Sequence, residues 1–162
     1  MDYERVFSLA ELYLKKNDFG MPHTRRVFEI ANQNFEIPKD SEELIFCSII
    51  LHDIGGSSIQ KQVEEGPEIA ATLLRQLGYG EKFVKKVCDI VRTHHDHPKY
   101  PSSAFKILYD SDKLVMFSPE EFPHYNSQPD FDWNKIIGLI YSEHCREVAK
   151  DLLLQRRIEA TD

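Results

Sequence analysis

Residues 44–58, LIFCSIILHDIGGSS, decide the fold class of this chain. Residues 44–51 are apolar nearly all round, and they predict a helix at the centre of a helical core. His52 and Asp53 follow at the C-terminal end of that helix, where the backbone dipole favours a cation. A flexible loop, GGSSIQKQ at residues 55–62, comes next and is the expected rim of any site. The stretch therefore places two ionisable side chains directly beside the predicted core.

Helical periodicity continues along the chain on both sides of this stretch. Asp40, with Glu43 three residues later, is predicted to cap the helix that contains the apolar run. Residues 118–130 are rich in proline, serine and asparagine and are predicted to be irregular. We therefore expect an all-α, single-domain bundle of six to seven helices spanning residues 1–162. The apolar stripes predict these helices over residues 2–16, 21–35, 40–54, 66–78, 81–95, 103–117 and 131–158.

The charge of the chain restricts its partners. The 162 residues include 20 Lys and Arg against 27 Asp and Glu, a formal net charge of -7, and the basic residues are scattered. Nucleic acid is not expected as the main partner, because a polyanion requires a basic surface. Nucleotides are compatible with this charge, since a bound divalent cation supplies the positive charge that an acidic surface lacks.

The apolar runs and the cysteines bear on the compartment. The longest apolar run, residues 44–51, is far shorter than the roughly 20 residues of a membrane span. No basic segment leads into an apolar one near the N-terminus, so no secretory signal is evident. Cys47, Cys88 and Cys145 lie within apolar helical patterns and are expected to be buried reduced thiols. We expect a cytoplasmic protein without a membrane partner, and the patterns do not predict an oligomeric state.

Several ionisable residues fall on, or at the end of, faces that the pattern predicts to be buried. Asp112 is the clearest case, since Leu108 lies one turn before it and Val115 nearly one turn after it. A buried carboxylate needs a partner, a proton or a metal. A single buried histidine bonded to a backbone carbonyl is the commoner alternative, and the long spacings do not specify a site. Two imidazoles and two carboxylates could hold one divalent cation, and the residues concerned are His23, His52, Asp53 and Asp112.

Four segments follow one another along the chain: PHTRRVFEIA, CSIILHDIG, EEGPEIAATLLRQLGY and ILYDSDKL. In this order they resemble the HD superfamily of metal-dependent phosphohydrolases. The resemblance covers about residues 20–117, and the family's ligand pattern is histidine, then His-Asp, then aspartate. It implies that His23, His52, Asp53 and Asp112 bind one divalent ion. Asp112 is preferred to Asp110 because it directly precedes a basic residue and leucine, and Asp110 is expected behind the ligands or on the helix surface.

The resemblance implies hydrolysis of a phosphate ester of a small molecule, commonly a nucleotide, by a water that the metal activates. Asp53 is then the expected catalytic carboxylate, which orients the water or accepts its proton. Arg26, His94 and Lys113 are expected to bind the substrate phosphate. A surface salt bridge is an equal alternative for Arg26 and for Lys113. The expected cofactor is one divalent ion per chain: Mn, Fe, Co, Ni, Mg or Zn.

The sequence departs from the family pattern at two positions. Many relatives continue the His-Asp pair with a lysine two residues after the next isoleucine, and here that position is Gly56. Relatives with two metals carry a further histidine where this chain has Gln62, and an amide is a poor ligand, so one metal is expected. His94 is an alternative ligand for a second, weaker metal. His95 and His97 are expected at the surface or in the loop.

Two other functions stay open beside the hydrolase. A catalytically weak HD-fold regulatory module that binds a metal or a nucleotide would fit the missing lysine. A di-iron oxygenase would need extra histidines where this chain has a glutamine. Specificity is expected to depend on residues 55–62 and 117–130, where three side chains either stack on a substrate ring or pack on the core. They are Phe122, His124 and Tyr125.

Overall fold

A computed structural model of the protein describes residues 3–14 and 19–161, and these residues form helices and connecting turns. They contain no β-strand, which confirms the all-α prediction. A short 3-10 helix, Val115–Phe117, directly follows the seventh α-helix. The α-helices are α1 (Glu4–Leu14), α2 (Gly20–Asn34), α3 (Glu42–Leu51), α4 (Ile59–Glu64), α5 (Gly66–Gln76), α6 (Glu81–Thr93), α7 (Ser103–Leu114), α8 (Phe122–Asn126), α9 (Trp133–Leu139) and α10 (Glu143–Ala160).

The described residues form ten α-helices, so the prediction of six to seven was too low. Two short helices lie in segments that were predicted to be loops. The helix α4 begins inside the predicted flexible loop, and Ser58 caps it by accepting the amide of Lys61 at 3.2 Å. The helix α8 lies within residues 118–130, which were predicted to be irregular. The ends of the predicted first helix, residues 2, 15 and 16, lie outside the described residues.

The predicted capping box at Asp40 was wrong. The helix α3 begins at Glu42, Ser41 precedes it, and neither the Ser41 side chain nor a box with Glu43 caps the first turn. By contrast, α5 has Pro67 in its first turn, as its sequence predicts. A buried helix such as α3 is stabilised mainly by packing, so its start does not depend on a strong cap.

The predicted long helix over residues 131–158 was also wrong, because the chain breaks between α9 and α10. Asp110, which was expected on a helix surface or behind the ligands, has no exposed area. Its carboxylate accepts the amides of Tyr141 at 2.8 Å and Ser142 at 2.9 Å. Ser142 in turn caps α10 by accepting the amide of Cys145. Asp110, which belongs to α7, therefore stabilises the break between α9 and α10. No local sequence pattern reveals that contact.

The helix α3 lies at the centre of the core, as its composition predicted. Every residue of the segment 45–51 is buried. One side of this helix packs with α1, α5 and α6, and the other side packs with α2 and α7. A third apolar cluster joins the end of α7 to α8, α9 and α10 around Trp133. Among the described helices, none combines the length and the apolar character that a membrane span requires.

The three cysteines agree with their prediction. Cys47, Cys88 and Cys145 are free and buried, each within an apolar cluster. Burial raises the pKa of the Cys47 thiol to about 12. A thiol with so high a pKa is a poor nucleophile at neutral pH, and these residues therefore belong to the packing of the core.

Candidate metal centre

The core brings together all four residues that were predicted to bind a metal. His23 comes from the first turn of α2, His52 and Asp53 directly follow α3, and Asp112 lies in the last turn of α7. The Nε2 atom of His23 lies 3.2 Å from Asp112 Oδ1 and 3.3 Å from Asp53 Oδ2. The Nε2 atom of His52 lies 3.3 Å from Asp53 Oδ2 and 3.4 Å from Asp112 Oδ1. Two nitrogen and two oxygen atoms thus form one compact group.

The geometry of this group fits a shared cation. Ligand atoms about 2.1 Å from an ion lie about 3.0 Å apart at right angles and about 3.4 Å apart at tetrahedral corners. The observed nitrogen-to-oxygen distances run from 3.2 to 3.4 Å. Within the described part of the chain, the buried Nε2 atoms of His23 and His52 have no hydrogen-bond partner of acceptable geometry. Unpartnered buried nitrogens beside two carboxylates are compensated when a divalent ion binds between them.

Backbone carbonyls determine which nitrogen of His52 faces the cluster. The Nδ1 atom of His52 lies 2.5 Å from the carbonyl oxygen of Ile49. His94, which directly follows α6, repeats this contact with the carbonyl of Val91 at 2.6 Å. A carbonyl only accepts, so Nδ1 carries a proton and donates to it, and Nε2 is the nitrogen that faces the cluster. The last carbonyls of a helix are free for such bonds, which orients both rings.

His23 is oriented by a carboxylate instead. Its Nδ1 atom lies 2.9 Å from Glu121 Oε2 and 3.1 Å from Glu121 Oε1. Glu121 is completely buried, and Arg26 donates to its Oε2 through Nη2 at 2.9 Å and Nε at 3.2 Å. Sequence reasoning missed Glu121, because it lies far from His23 in a segment that was predicted to be irregular. A buried glutamate just before α8 carries no helical periodicity that could have identified it.

The charges of the cluster balance one another without a metal. Burial by itself would raise the pKa of Asp53 and Asp112, but the charge of His52 and contacts with the imidazoles hold the pKa of both well below its usual range. Burial would likewise lower the pKa of His23, but its contacts with Asp112, Asp53 and Glu121 raise that pKa to about 12. The two aspartates also raise the pKa of His52 to about 10. A cation at this position would take over the role of these protons.

A cavity of about 300 Å³ opens over the cluster. His23, Asp53, Asp112 and Lys113 are among the residues that line it. The lining also includes apolar and aromatic side chains, and Phe19 stacks on the ring of His23 with centroids 6.1 Å apart. The cavity therefore offers groups for a charged substrate and surfaces for an apolar or ring-shaped one. The apolar and aromatic lining residues are Phe19, Ile59, Met116, His124 and Tyr125.

The residues predicted to bind phosphate take three different positions. Lys113 lines the cavity, and its Nζ also lies 5.1 Å from the ring of Tyr109. His94 is buried behind Asp53, with its Nε2 atom 3.4 Å from Asp53 Oδ1. Arg26 is turned to Glu121, which corresponds to the alternative of a salt bridge. Lys113 is thus the member of this set that directly faces the cavity.

His95 is exposed, as expected for a surface residue, and it also lines the cavity. Its Nε2 atom hydrogen-bonds to Gln62 Oε1, and Gln62 donates its amide to the carbonyl of Gly56 at 2.6 Å. Asp53, His94 and His95 have atoms close enough to form a second candidate metal group. Gln62 already engages one nitrogen of His95, which is consistent with the expectation of one metal.

The remaining residues separate into packing and cavity-lining positions. Phe122 stacks on Trp133 with ring centroids 4.6 Å apart, so it belongs to the core. His124 and Tyr125 line the cavity, where they were expected if they meet a substrate ring, and Tyr125 also packs on the core, which was the other alternative. His97 stacks on Tyr141 at 4.5 Å and supports the break between α9 and α10.

Comparisons with known proteins agree with this arrangement. The sequence matches the HD domain family over residues 21–116, and the chain therefore belongs to that family. Its fold resembles the crystal structure of a predicted HD superfamily hydrolase from an uncultured Thermotogales bacterium. That likeness has a TM-score of 0.65 at 22% identity, and it covers 98% of this chain and 92% of the other. No curated protein matches the chain.

Proposed function

We propose that this protein is a metal-dependent phosphohydrolase that cleaves the phosphate ester of a small molecule. His23, His52, Asp53 and Asp112 would hold one divalent ion. The observation that carries the proposal is that two buried Nε2 atoms without hydrogen-bond partners lie 3.2 to 3.4 Å from the oxygens of two aspartates, beside an open cavity. Membership of the HD domain family and the likeness to a predicted hydrolase support it.

The chemistry divides between the ion and the side chains around it. A divalent cation neutralises charge on phosphoryl oxygens and lowers the pKa of water. Asp53 borders the cavity and orients the attacking water or accepts its proton. His94 contacts Asp53 Oδ1 from behind and holds the carboxylate in place. Lys113 binds the phosphate and balances its charge.

The preferred substrate is a nucleoside monophosphate. Among the described residues that line the cavity, Lys113 is the only lysine or arginine, and Asp53 and Asp112 line the same cavity. One lysine and one cation match the charge of a single phosphate better than that of a polyphosphate chain. Three aromatic rings line the same cavity as an aromatic wall, and the ring centroid of Phe19 lies 5.3 Å from that of His124 and 6.3 Å from that of Tyr125. A flat base can stack on such a wall, whereas a bare sugar phosphate cannot.

Phosphate release from a substrate panel tests the activity. The panel contains nucleoside mono-, di- and triphosphates, ribose 5-phosphate and phosphodiesters, each assayed with Mn, Co, Ni, Mg, Zn or Fe. We expect the highest kcat/KM with monophosphates, and loss of turnover after chelation or in Asp53→Ala. Asp96→Ala, a substitution at an exposed loop residue, is the matched control and keeps wild-type turnover. Absence of turnover with every ester by the metal-loaded protein would contradict the proposal.

The aromatic wall has its own test. Replacing Phe19 with alanine should raise KM for a nucleoside monophosphate by about tenfold, since stacking on one base contributes about 1–3 kcal/mol. The KM for ribose 5-phosphate should stay unchanged, because that substrate lacks the base. Equal losses for both substrates would show that Phe19 supports the site without contacting a ring.

A metal-binding regulatory module is the second candidate. Gly56 stands where many members of the HD superfamily carry a lysine. Lys113 is then the lysine that lines the cavity. A protein that holds a cation and a nucleotide but releases no phosphate across the panel would support this module. Calorimetric titration with nucleoside monophosphates distinguishes it from an empty scaffold.

A further inference from the structure

We propose that Glu121 is a positioning residue for the metal site, and that it acts through His23 while Arg26 holds it in place. The inference rests on the proposed metal binding but not on any particular substrate. Glu121 lies outside residues 21–116, the segment that matches the HD domain family. The segment before α8 would therefore complete a site whose ligands all come from the family core.

The position of His23 explains why it needs such a partner. His52 and His94 follow the ends of their helices, where free backbone carbonyls accept a hydrogen bond from Nδ1. His23 lies in the first turn of α2, where the free backbone groups are N–H donors. No carbonyl of that turn is available to it, and Glu121 supplies the acceptor at 2.9 Å. A carboxylate behind a histidine fixes the tautomer and raises the basicity of the other nitrogen.

Glu121 is itself held firmly before any metal arrives. Its side chain has no exposed area, and a buried carboxylate persists only when it is compensated. Arg26 supplies two hydrogen bonds to Oε2, and it lies three residues after His23 on the same helix. The backbone amide of Glu121 is bound by Ser118, and the next residue, Phe122, is anchored on Trp133. The carboxylate therefore meets His23 in one fixed orientation.

This arrangement assigns Arg26 a role that differs from phosphate binding. Its guanidinium compensates Glu121, so its charge is not free to meet a substrate in the cavity. Removing Arg26 would leave Glu121 buried without its main cationic partner. We expect this change to weaken metal binding through His23, and to leave the ligand atoms themselves intact.

Cobalt binding tests the inference without measuring turnover. The variants are Glu121→Ala, Glu121→Gln and Arg26→Gln in the full chain, titrated with Co²⁺ against a chelator. We expect Glu121→Ala to weaken Co²⁺ binding about 10- to 100-fold, and Glu121→Gln to lose less because its amide oxygen still accepts. The visible absorption of bound Co²⁺ should also shift in both variants, because the orientation of His23 changes.

Asp132→Ala is the matched control. Asp132 caps α9 in the same part of the fold, and its carboxylate accepts the amides of Asn134 and Lys135 rather than bonding to a candidate ligand. This variant should lose some stability and keep the Co²⁺ affinity and absorption of the wild type. Circular dichroism verifies that each variant is folded, and if Glu121→Ala does not fold, Glu121→Gln and Arg26→Gln decide the question.

The outcomes separate this inference from the proposed function. Folded Glu121 variants that bind Co²⁺ with wild-type affinity and spectrum would overturn the role of Glu121 and leave the hydrolase proposal standing. Weaker Co²⁺ binding in a protein that hydrolyses no ester would support the role of Glu121 and contradict the hydrolase. A wild-type protein that binds no divalent ion would overturn both.

Discussion

Two aspartates on the helix α7, Asp110 and Asp112, are two residues apart and have opposite roles. Asp110 has no exposed area, and it accepts two backbone amides from the break between α9 and α10. Asp112 lies at the cavity, and it faces the unpartnered Nε2 atoms of His23 and His52. Backbone amides compensate the charge of Asp110, whereas imidazoles compensate that of Asp112. A metal ion can replace the protons of those imidazoles, but it cannot replace the amides. A buried acid is thus structural or functional according to its partner.

The pKa values of these two residues show the same contrast. Burial raises the pKa of Asp110, although the amides of Tyr141 and Ser142 partly oppose that rise. Burial would also raise the pKa of Asp112, but the charge of His52 and the contacts with the imidazoles hold it well below its usual range. Asp112 is therefore kept as a carboxylate, the form in which it can bind a cation.

The largest expected effect comes from removing the charge of Asp112. Asp112→Asn should lower phosphate release by about 10³-fold or more, since metal catalysis contributes several kcal/mol and each 1.4 kcal/mol changes a rate about tenfold. Metal content by elemental analysis should fall with it. Asp110→Asn should keep its metal. If Asp112→Asn retains both its metal and its turnover, Asp112 does not have the metal-binding role that distinguishes it from Asp110.

The second effect is the pH dependence of metal binding. The pKa of His23 is raised to about 12 and that of His52 to about 10, so both imidazoles carry protons at neutral pH in the metal-free protein. A metal displaces these protons, and each one released makes the affinity rise about tenfold per pH unit. The Kd for Co²⁺ should therefore tighten as the pH rises from 6 to 8. A Kd that does not change over this range would contradict the displacement of protons from these imidazoles by the metal.

The third effect concerns stability and belongs to Asp110. Asp110→Ala should lower the free energy of unfolding by about 1–3 kcal/mol, since it leaves the amides of Tyr141 and Ser142 without their acceptor. Urea denaturation of the metal-free protein measures this loss. Metal affinity should stay close to that of the wild type. Lost metal binding at unchanged stability would reverse the assignment of the two aspartates.

The smallest expected effect comes from an exposed aspartate that is compared with the buried Asp110. Asp132, like Asp110, accepts two backbone amides, but it is exposed at the start of α9. Asp132→Ala should cost about 1 kcal/mol, the usual loss for a helix cap. Urea denaturation of both alanine variants compares the two acids directly. If Asp132→Ala is as costly as Asp110→Ala, burial does not account for the role of Asp110.

Local patterns could predict the main helices and part of the site. The apolar run before His52 predicted the central helix, and the apolar neighbours of Asp112 identified it as an acid in need of compensation. The resemblance to the HD superfamily then selected the four candidate ligands, whose imidazole nitrogens lie 3.2 to 3.4 Å from the carboxylate oxygens. The same patterns could not separate Asp110 from a surface residue, because its two partners lie on a distant segment.

The amino-acid sequence by itself determined the helical class, the buried centre at α3 and the candidate ligands, since apolar periodicity and residue type are local properties of the chain. Only the tertiary structure decided that Glu121 supports His23, that Arg26 turns to Glu121, and that Asp110 holds the break before α10. Each of these contacts joins an ionisable group to a partner far away in the chain. Such a pairing depends on which groups folding places within about 3 Å of each other, and no local spacing encodes that distance.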